Sequence, residues 1–204
     1  MSKNIIHVTV FIRTWGNDSN ILEAMKSNSH IISIYHIMGK HSYLVDANFD
    51  DKKQLSDWIN YIKSIYISEG VPAVMSLRTQ KVININKQKK DYTLDDYMAL
   101  KNKQHFFVEI DNPHHDEILM GLLVKSPIVH SILHVQGESS FIIELILKDY
   151  TEYTDLLGSI KDINTIHHIE TFEVISVIKY RNKILDAHDN VILPGEDNRE
   201  LFTL

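Results

Sequence analysis

The chain carries one pattern twice, and that repeat constrains its fold more than any other feature. Gly39 sits in Ile37-Met38-Gly39-Lys40-His41-Ser42-Tyr43, and Gly137 sits 98 positions later in Val135-Gln136-Gly137-Glu138-Ser139-Ser140-Phe141. The spacing holds without a gap along most of each half. Val8, Val10 and Ile12 answer to Phe106, Val108 and Ile110, and Ile21, Leu22 and Met25 to Leu119, Met120 and Leu123. His36 answers to His134, and Leu55, Trp58, Ile59 and Ile62 to Tyr153, Leu156, Leu157 and Ile160. Few residues are identical, yet apolar character is kept almost throughout. Two copies of one fold look like this when each keeps its core and little else.

Each copy reads as strand, helix, strand, strand, helix, strand. In the first, residues 8–13 alternate as a half-buried strand does. Asp18 or Ser19 stands where a helix cap belongs, ahead of an apolar face of Ile21, Leu22 and Met25. Residues 31–37 are rich in β-branched side chains, Gly39 turns the chain, and residues 43–49 return, which makes a hairpin. Leu55, Trp58, Ile59, Ile62 and Ile65 then follow helical spacing, and the last strand is expected over 74–82. The second copy repeats this order at 106–110, 116–124, 129–135, 141–147, 150–163 and 169–180. The expected fold is therefore α+β, with two ferredoxin-like β-α-β-β-α-β domains at 1–83 and 105–181. Several strands are apolar on both sides, so each sheet needs a cover on the face away from its helices. The expectation is that the two domains cover each other, sheet to sheet, as a pseudo-dimer resembling a dimeric α/β barrel.

Two segments lie outside the repeat. Residues 84–104 form a polar linker with Lys87, Lys89 and Lys90, and Thr93 with Asp95 and Asp96 begins a short helix. Residues 182–204 are a polar tail ending in Leu201-Phe202-Thr203-Leu204.

At 204 residues the chain has room for two domains of ordinary size. A net charge of −6 argues against a nucleic-acid binder. The absence of cysteine excludes disulfides and thiolate metal sites. The first residues lack the apolar run of a secretion signal, and no stretch reaches the ~20 apolar residues of a membrane helix. A cytoplasmic protein without membrane contact is expected.

The run His30-Ile31-Ile32-Ser33-Ile34-Tyr35-His36-Ile37-Met38-Gly39-Lys40-His41-Ser42-Tyr43-Leu44-Val45 resembles the central hairpin of the Lrp/AsnC effector-binding domain, also called the RAM domain. Residues 21–28 fit that domain's first helix, and residues 129–143 match its hairpin more loosely. The resemblance spans both repeats, about three quarters of the chain, but neither linker nor tail. It implies a dimeric α/β sandwich binding a small effector, often an amino acid, beside the hairpin loops. Gly39, Lys40, His41 and Ser42, with Gly137, Glu138, Ser139 and Ser140, are the candidate ligand-binding residues. The family often has Asp where this chain has Ser42 and Ser140, and a hydroxyl cannot pair with an ammonium group as a carboxylate does. Family members usually carry a helix-turn-helix. Here one short helix at 93–103 is the sole candidate, and that motif needs two.

The chain holds twelve histidines. His130 and His134 share a strand face but stand roughly 13 Å apart, too far for one metal. No HExxH or similar spacing occurs, so no metal and no cofactor is expected. Asp46 and Glu144 occupy equivalent places in apolar strands and are candidate acid–base groups. Burial would raise their pKa; a solvent-facing position near a sheet edge is the other reading. No catalytic signature marks the chain. The expectation is a non-enzymatic small-molecule effector-binding regulator, with a homo-oligomer or protein partner and no DNA-binding domain of its own. The alternatives are a small ferredoxin-like enzyme of monooxygenase or isomerase type, or an assembly module.

Overall fold

The computed structural model describes residues 5–14, 18–65, 74–84, 104–112, 117–137 and 139–185, with 74–84 described by backbone alone. The helix expected at 93–103 and the end of the tail lie outside the described residues. The elements are β1 (Ile6–Ile12), α1 (Ser19–Lys26), β2 (Ile31–Met38), β3 (Tyr43–Phe49), α2 (Lys52–Ile65) and β4 (Val74–Asn84). They recur as β5 (Gln104–Asp111), α3 (Glu117–Lys125), β6 (Val129–Gln136), β7 (Phe141–Leu147), α4 (Tyr150–Lys161) and β8 (His168–Tyr180), followed by β9 (Lys183–Ile184). The fold is α+β with antiparallel strand pairing, and the β-α-β-β-α-β order occurs twice. Among the described residues no helix is long and apolar enough to cross a membrane.

Two compact units are present: residues 1–76 with 175–204, and residues 77–174. In the first, the strand order is β2-β3-β1-β4, and the end of β8 runs beside β2. In the second, the order is β6-β7-β5-β8, and the end of β4 pairs with β6 from Arg78–Gln136 to Asn84–Ser131. Packing thus divides β4 and β8 between the units, where the repeat would keep each strand whole.

Alternation explains each core. Val8, Val10 and Ile12 of β1 and Val45, Ala47 and Phe49 of β3 face Ile21 and Met25 of α1 and Trp58 and Ile62 of α2. Phe106, Val108, Ile110, Ile143 and Leu145 face Leu119, Leu123, Leu156 and Ile160 in the same way. Each such burial stabilises by about 1.5–3 kcal/mol. The intervening residues point to the other sheet face and are buried too: Phe11, Leu44, Ile142 and Phe172 have at most 2% exposure. That second face thus buries apolar side chains too, with the polar Thr9 and Glu109 buried among them.

Local chemistry also repeats. A β-bulge lies between Ile31 and Ser33 opposite β3, and another between Val129 and Ser131 opposite β7. Asp18 occupies the N-cap of α1, but its side chain makes no cap hydrogen bond. Its carboxylate accepts instead from the Tyr43 hydroxyl and, at 3.4 Å, from Thr14.

Candidate functional site

The hairpins place their serines in structural work. The Ser42 hydroxyl accepts from the Thr14 backbone amide at 3.1 Å, and Ser140 accepts from the Asn112 amide at 3.1 Å. Thr14 and Asn112 are themselves 98 apart, so one device closes both hairpins. Gly39 has φ of 150°, a backbone that favours glycine. Gly39, Lys40 and Gly137 are exposed, and Glu138 lies outside the described residues. His41 is buried, its ring 5.2 Å from that of Phe11. Ser139, the equivalent residue, is buried and donates to the carboxylate of Glu109, itself buried on the sheet face away from the helices. The two hairpins belong to different units.

The chemically capable groups lie deeper in the strands. Glu144 is in the middle of β7, an interior strand between β5 and β6. Its neighbours Ile143 and Leu145 join the helix-side core, so Glu144 points the other way. There Nε2 of His105, on β5, stands 3.0 Å from Oε1, and Nε2 of His130 stands 4.0 Å from Oε2. The Ser131 hydroxyl donates to Oε2 at 3.0 Å. The bulge at Val129/Ser131 inserts His130 into β6, and bulges commonly re-aim side chains in this way. Side-chain exposure is 12% at His105, 14% at His130 and 16% at Glu144, which excludes a solvent-facing position.

Burial pushes the Glu144 carboxyl up, but His105, His130 and Ser131 together outweigh it and hold the pKa at about 2. The expectation that burial would raise it is thus corrected, because cross-strand imidazoles favour the anion more than desolvation disfavours it. The first repeat holds the same pair. His7 hydrogen-bonds Asp46 on β3, with about a quarter of each side chain exposed. Burial opposes charge on His7, yet the bond to Asp46 and its charge raise the imidazole pKa. His7 and His105 are 98 apart, as are Asp46 and Glu144, so the pairs are repeat-equivalent. The expected strands began at Val8 and Phe106, one residue too late to take in either histidine. Among the described residues no three His, Cys, Asp or Glu side chains converge as a metal ion requires.

This arrangement can move protons. An interior carboxylate ionised across the neutral range fixes imidazoles, and imidazole is the side chain that changes charge near neutrality. His36 and His134 play another part: each packs on the aromatic residue after its hairpin, Tyr43 at 5.4 Å and Phe141 at 5.2 Å.

No protein-family model and no curated protein matches this sequence. Solved structures do. The siroheme decarboxylase NirDL in co-complex with an iron-uroporphyrin III analogue matches with TM-score 0.61 at 9% identity, over 87% of this chain and 73% of that one. A second structure of siroheme decarboxylase NirDL matches with TM-score 0.61 at 8% identity, over 87% and 74%. A mutant chlorite dismutase from Candidatus Nitrospira defluvii has TM-score 0.49 at 7% identity, over 86% and 93%. At these identities the likeness to siroheme decarboxylase shows a shared fold. It nonetheless corrects the expectation of a non-enzymatic effector-binding regulator. That expectation rested on the hairpin resemblance at residues 30–45 and on the absence of a catalytic signature, whereas the solved structures that share the fold are of an enzyme.

Proposed function

We propose that this chain is an enzyme whose chemistry is proton transfer, carried by His105 and Glu144 with His130 and Ser131 beside them. One observation carries the proposal: a His–carboxylate pair sits within apolar strands in both repeats. Buried ion pairs are poor stabilisers compared with apolar residues of similar size. A strongly shifted carboxylate with named partners marks a candidate site more than a candidate staple. In this reading Glu144 is the fixed anion and orients His105. His105, or His130, gives a proton to the substrate or takes one from it.

Decarboxylation of an organic acid fits this equipment. The carbon–carbon bond breaks, carbon dioxide leaves, the electron pair stays on carbon, and an imidazolium supplies the replacing proton. The structural likeness makes siroheme the first substrate to test. Purified protein incubated anaerobically with siroheme should release carbon dioxide, followed by the mass of the tetrapyrrole. Glu144→Gln and His105→Gln should lower turnover by about 10²-fold or more, the usual weight of a positioned acid or base. No conversion would remove this substrate class; unchanged turnover in both variants would remove the site.

The internal repeat and the apolar outer sheet faces also support, as a proposal, a single-chain pseudo-dimer packed sheet to sheet. Residues 1–90 expressed alone should then aggregate or homodimerise, and a stable monodisperse monomer would count against it. Common ancestry with the Lrp/AsnC effector-binding domain is likewise a proposal, resting on the hairpin at residues 30–45.

A further inference from the structure

We propose that the outward face of α3 is a contact surface for a second copy of this chain, met antiparallel across a two-fold axis at Gly121. α3 buries Leu119 and Leu123 completely. Gly121 lies between them in sequence, which at 3.6 residues per turn puts it on the opposite side of the helix. Around it on that side stand Ile118 and Val124, three residues before and after, and Glu117 and Lys125, four before and after. Ile118 is 72% exposed and Val124 45%. The equivalent positions in the first repeat are Ser19, Asn20, Glu23, Lys26 and Ser27, all polar. The repeated fold therefore does not require apolar residues here; they belong to the second copy alone.

Gly121 supplies an independent reason. Glycine inside a helix weakens it relative to alanine. A Cβ added at Gly121 would meet nothing within 4 Å, so packing inside the chain does not ask for glycine. Close approach of another backbone does. Gly158 in α4 has similar space around it, but Thr154, Asp155 and Lys161 surround it, and such a face offers nothing apolar to cover.

The pattern Glu117-Ile118, Gly121, Val124-Lys125 is symmetric about its centre, with charges of opposite sign at its ends. An antiparallel second α3 sets Ile118 against Val124 and Glu117 against Lys125, twice over. A parallel one sets like charges together. Charge complementarity thus selects a second copy in one orientation, related by a two-fold axis as most homodimers are. A pair of nine-residue helices is smaller than a standard interface of about 1,600 Å², so the association is weak and concentration-dependent.

Sedimentation velocity on the full chain between about 5 and about 500 µM tests this, the range in which weak dimers form. The expected result is a shift from monomer to dimer across that range. Gly121→Leu should abolish it, and Glu117→Lys should raise the dissociation constant about tenfold or more. Combining Glu117→Lys with Lys125→Glu should restore association, which guards against misfolding as the cause of loss. Gly121→Ala should keep or raise the thermal midpoint while weakening the dimer. A monomer at every concentration, a dimer indifferent to Gly121→Leu and Glu117→Lys, or a charge swap as weak as its single variant would each overturn the proposal.

Discussion

Glu144 and His7 make the stability of the two repeats respond to opposite ends of the pH scale. A free glutamic acid titrates near pH 4.3 and Glu144 near 2. A depressed acid stabilises the fold fully above its unfolded pKa and loses that contribution as pH falls through its folded one. The Glu144 contribution, about 3 kcal/mol for such a shift, should be intact above ~pH 5 and vanish towards pH 2. His7 behaves in reverse, because its folded pKa is raised. Its contribution is complete below its unfolded value of about 6.5 and is lost as pH rises through the folded one. Urea unfolding across this range should show Glu144→Gln flattening the acid limb and His7→Gln flattening the limb above neutrality. An acid limb in Glu144→Gln as steep as in the parent would sink the assignment. Thr9 supplies a control on the same sheet face. Its hydroxyl oxygen is buried and has no hydrogen-bond partner among the described residues. Thr9→Val should be neutral or stabilise by up to about 1 kcal/mol, and a loss larger than that would mean the hydroxyl has work in folding.

At the scale of elements, the hairpin serines should matter to folding whatever the substrate. Ser42→Ala and Ser140→Ala each leave a backbone amide, of Thr14 or Asn112, without its acceptor, at a cost of about 1–2 kcal/mol. Gly39→Val should cost about 1–3 kcal/mol, since a β-branched residue resists φ of 150°. Chemical denaturation measures all three, and a neutral Ser140→Ala would show that water replaces the hydroxyl. These elements were legible because apolar alternation and helical spacing are local: residues 43–49 and 141–147 were expected as strands and are strands. What escaped the sequence depends on partners far along the chain. Asp18 has the chemistry of a cap, yet Tyr43, 25 residues on, takes its carboxylate. Asp46 and Glu144 were visible as charges in apolar strands. Their imidazole partners were not, because antiparallel pairing brings residue 105 beside 144 and residue 7 beside 46, and a single strand read alone does not contain that register.

At the scale of the whole chain, β8 divides between the two units. Val177, Ile178 and Tyr180 are buried at the end of β8, and Leu185 follows beyond β9; all four belong to the first unit. Lys179, also buried, donates to the carbonyls of Lys26 at 3.2 Å and Asn28 at 3.0 Å, where α1 ends. The Asn182 amide donates to the Ile32 carbonyl at 2.8 Å, and the Arg181 amide to the Ser33 hydroxyl at 3.3 Å. Burial pushes the Lys179 amine pKa down, which makes those carbonyls the more necessary to it. The first repeat, although whole in sequence, is therefore not whole as a folding unit without residues 175–185. Four buried apolar side chains at about 1.5–3 kcal/mol each amount to a large share of a typical stability of about 5–15 kcal/mol. A chain ended after Val174 should consequently lose the first unit, although every residue of the first repeat is present. Hydrogen exchange should then show protection falling in β2 and α1, the elements that the removed segment contacts, with β5 and β7 less affected. Full protection of β2 and α1 in that truncated chain would mean that the first repeat closes its own fold without residues 175–185.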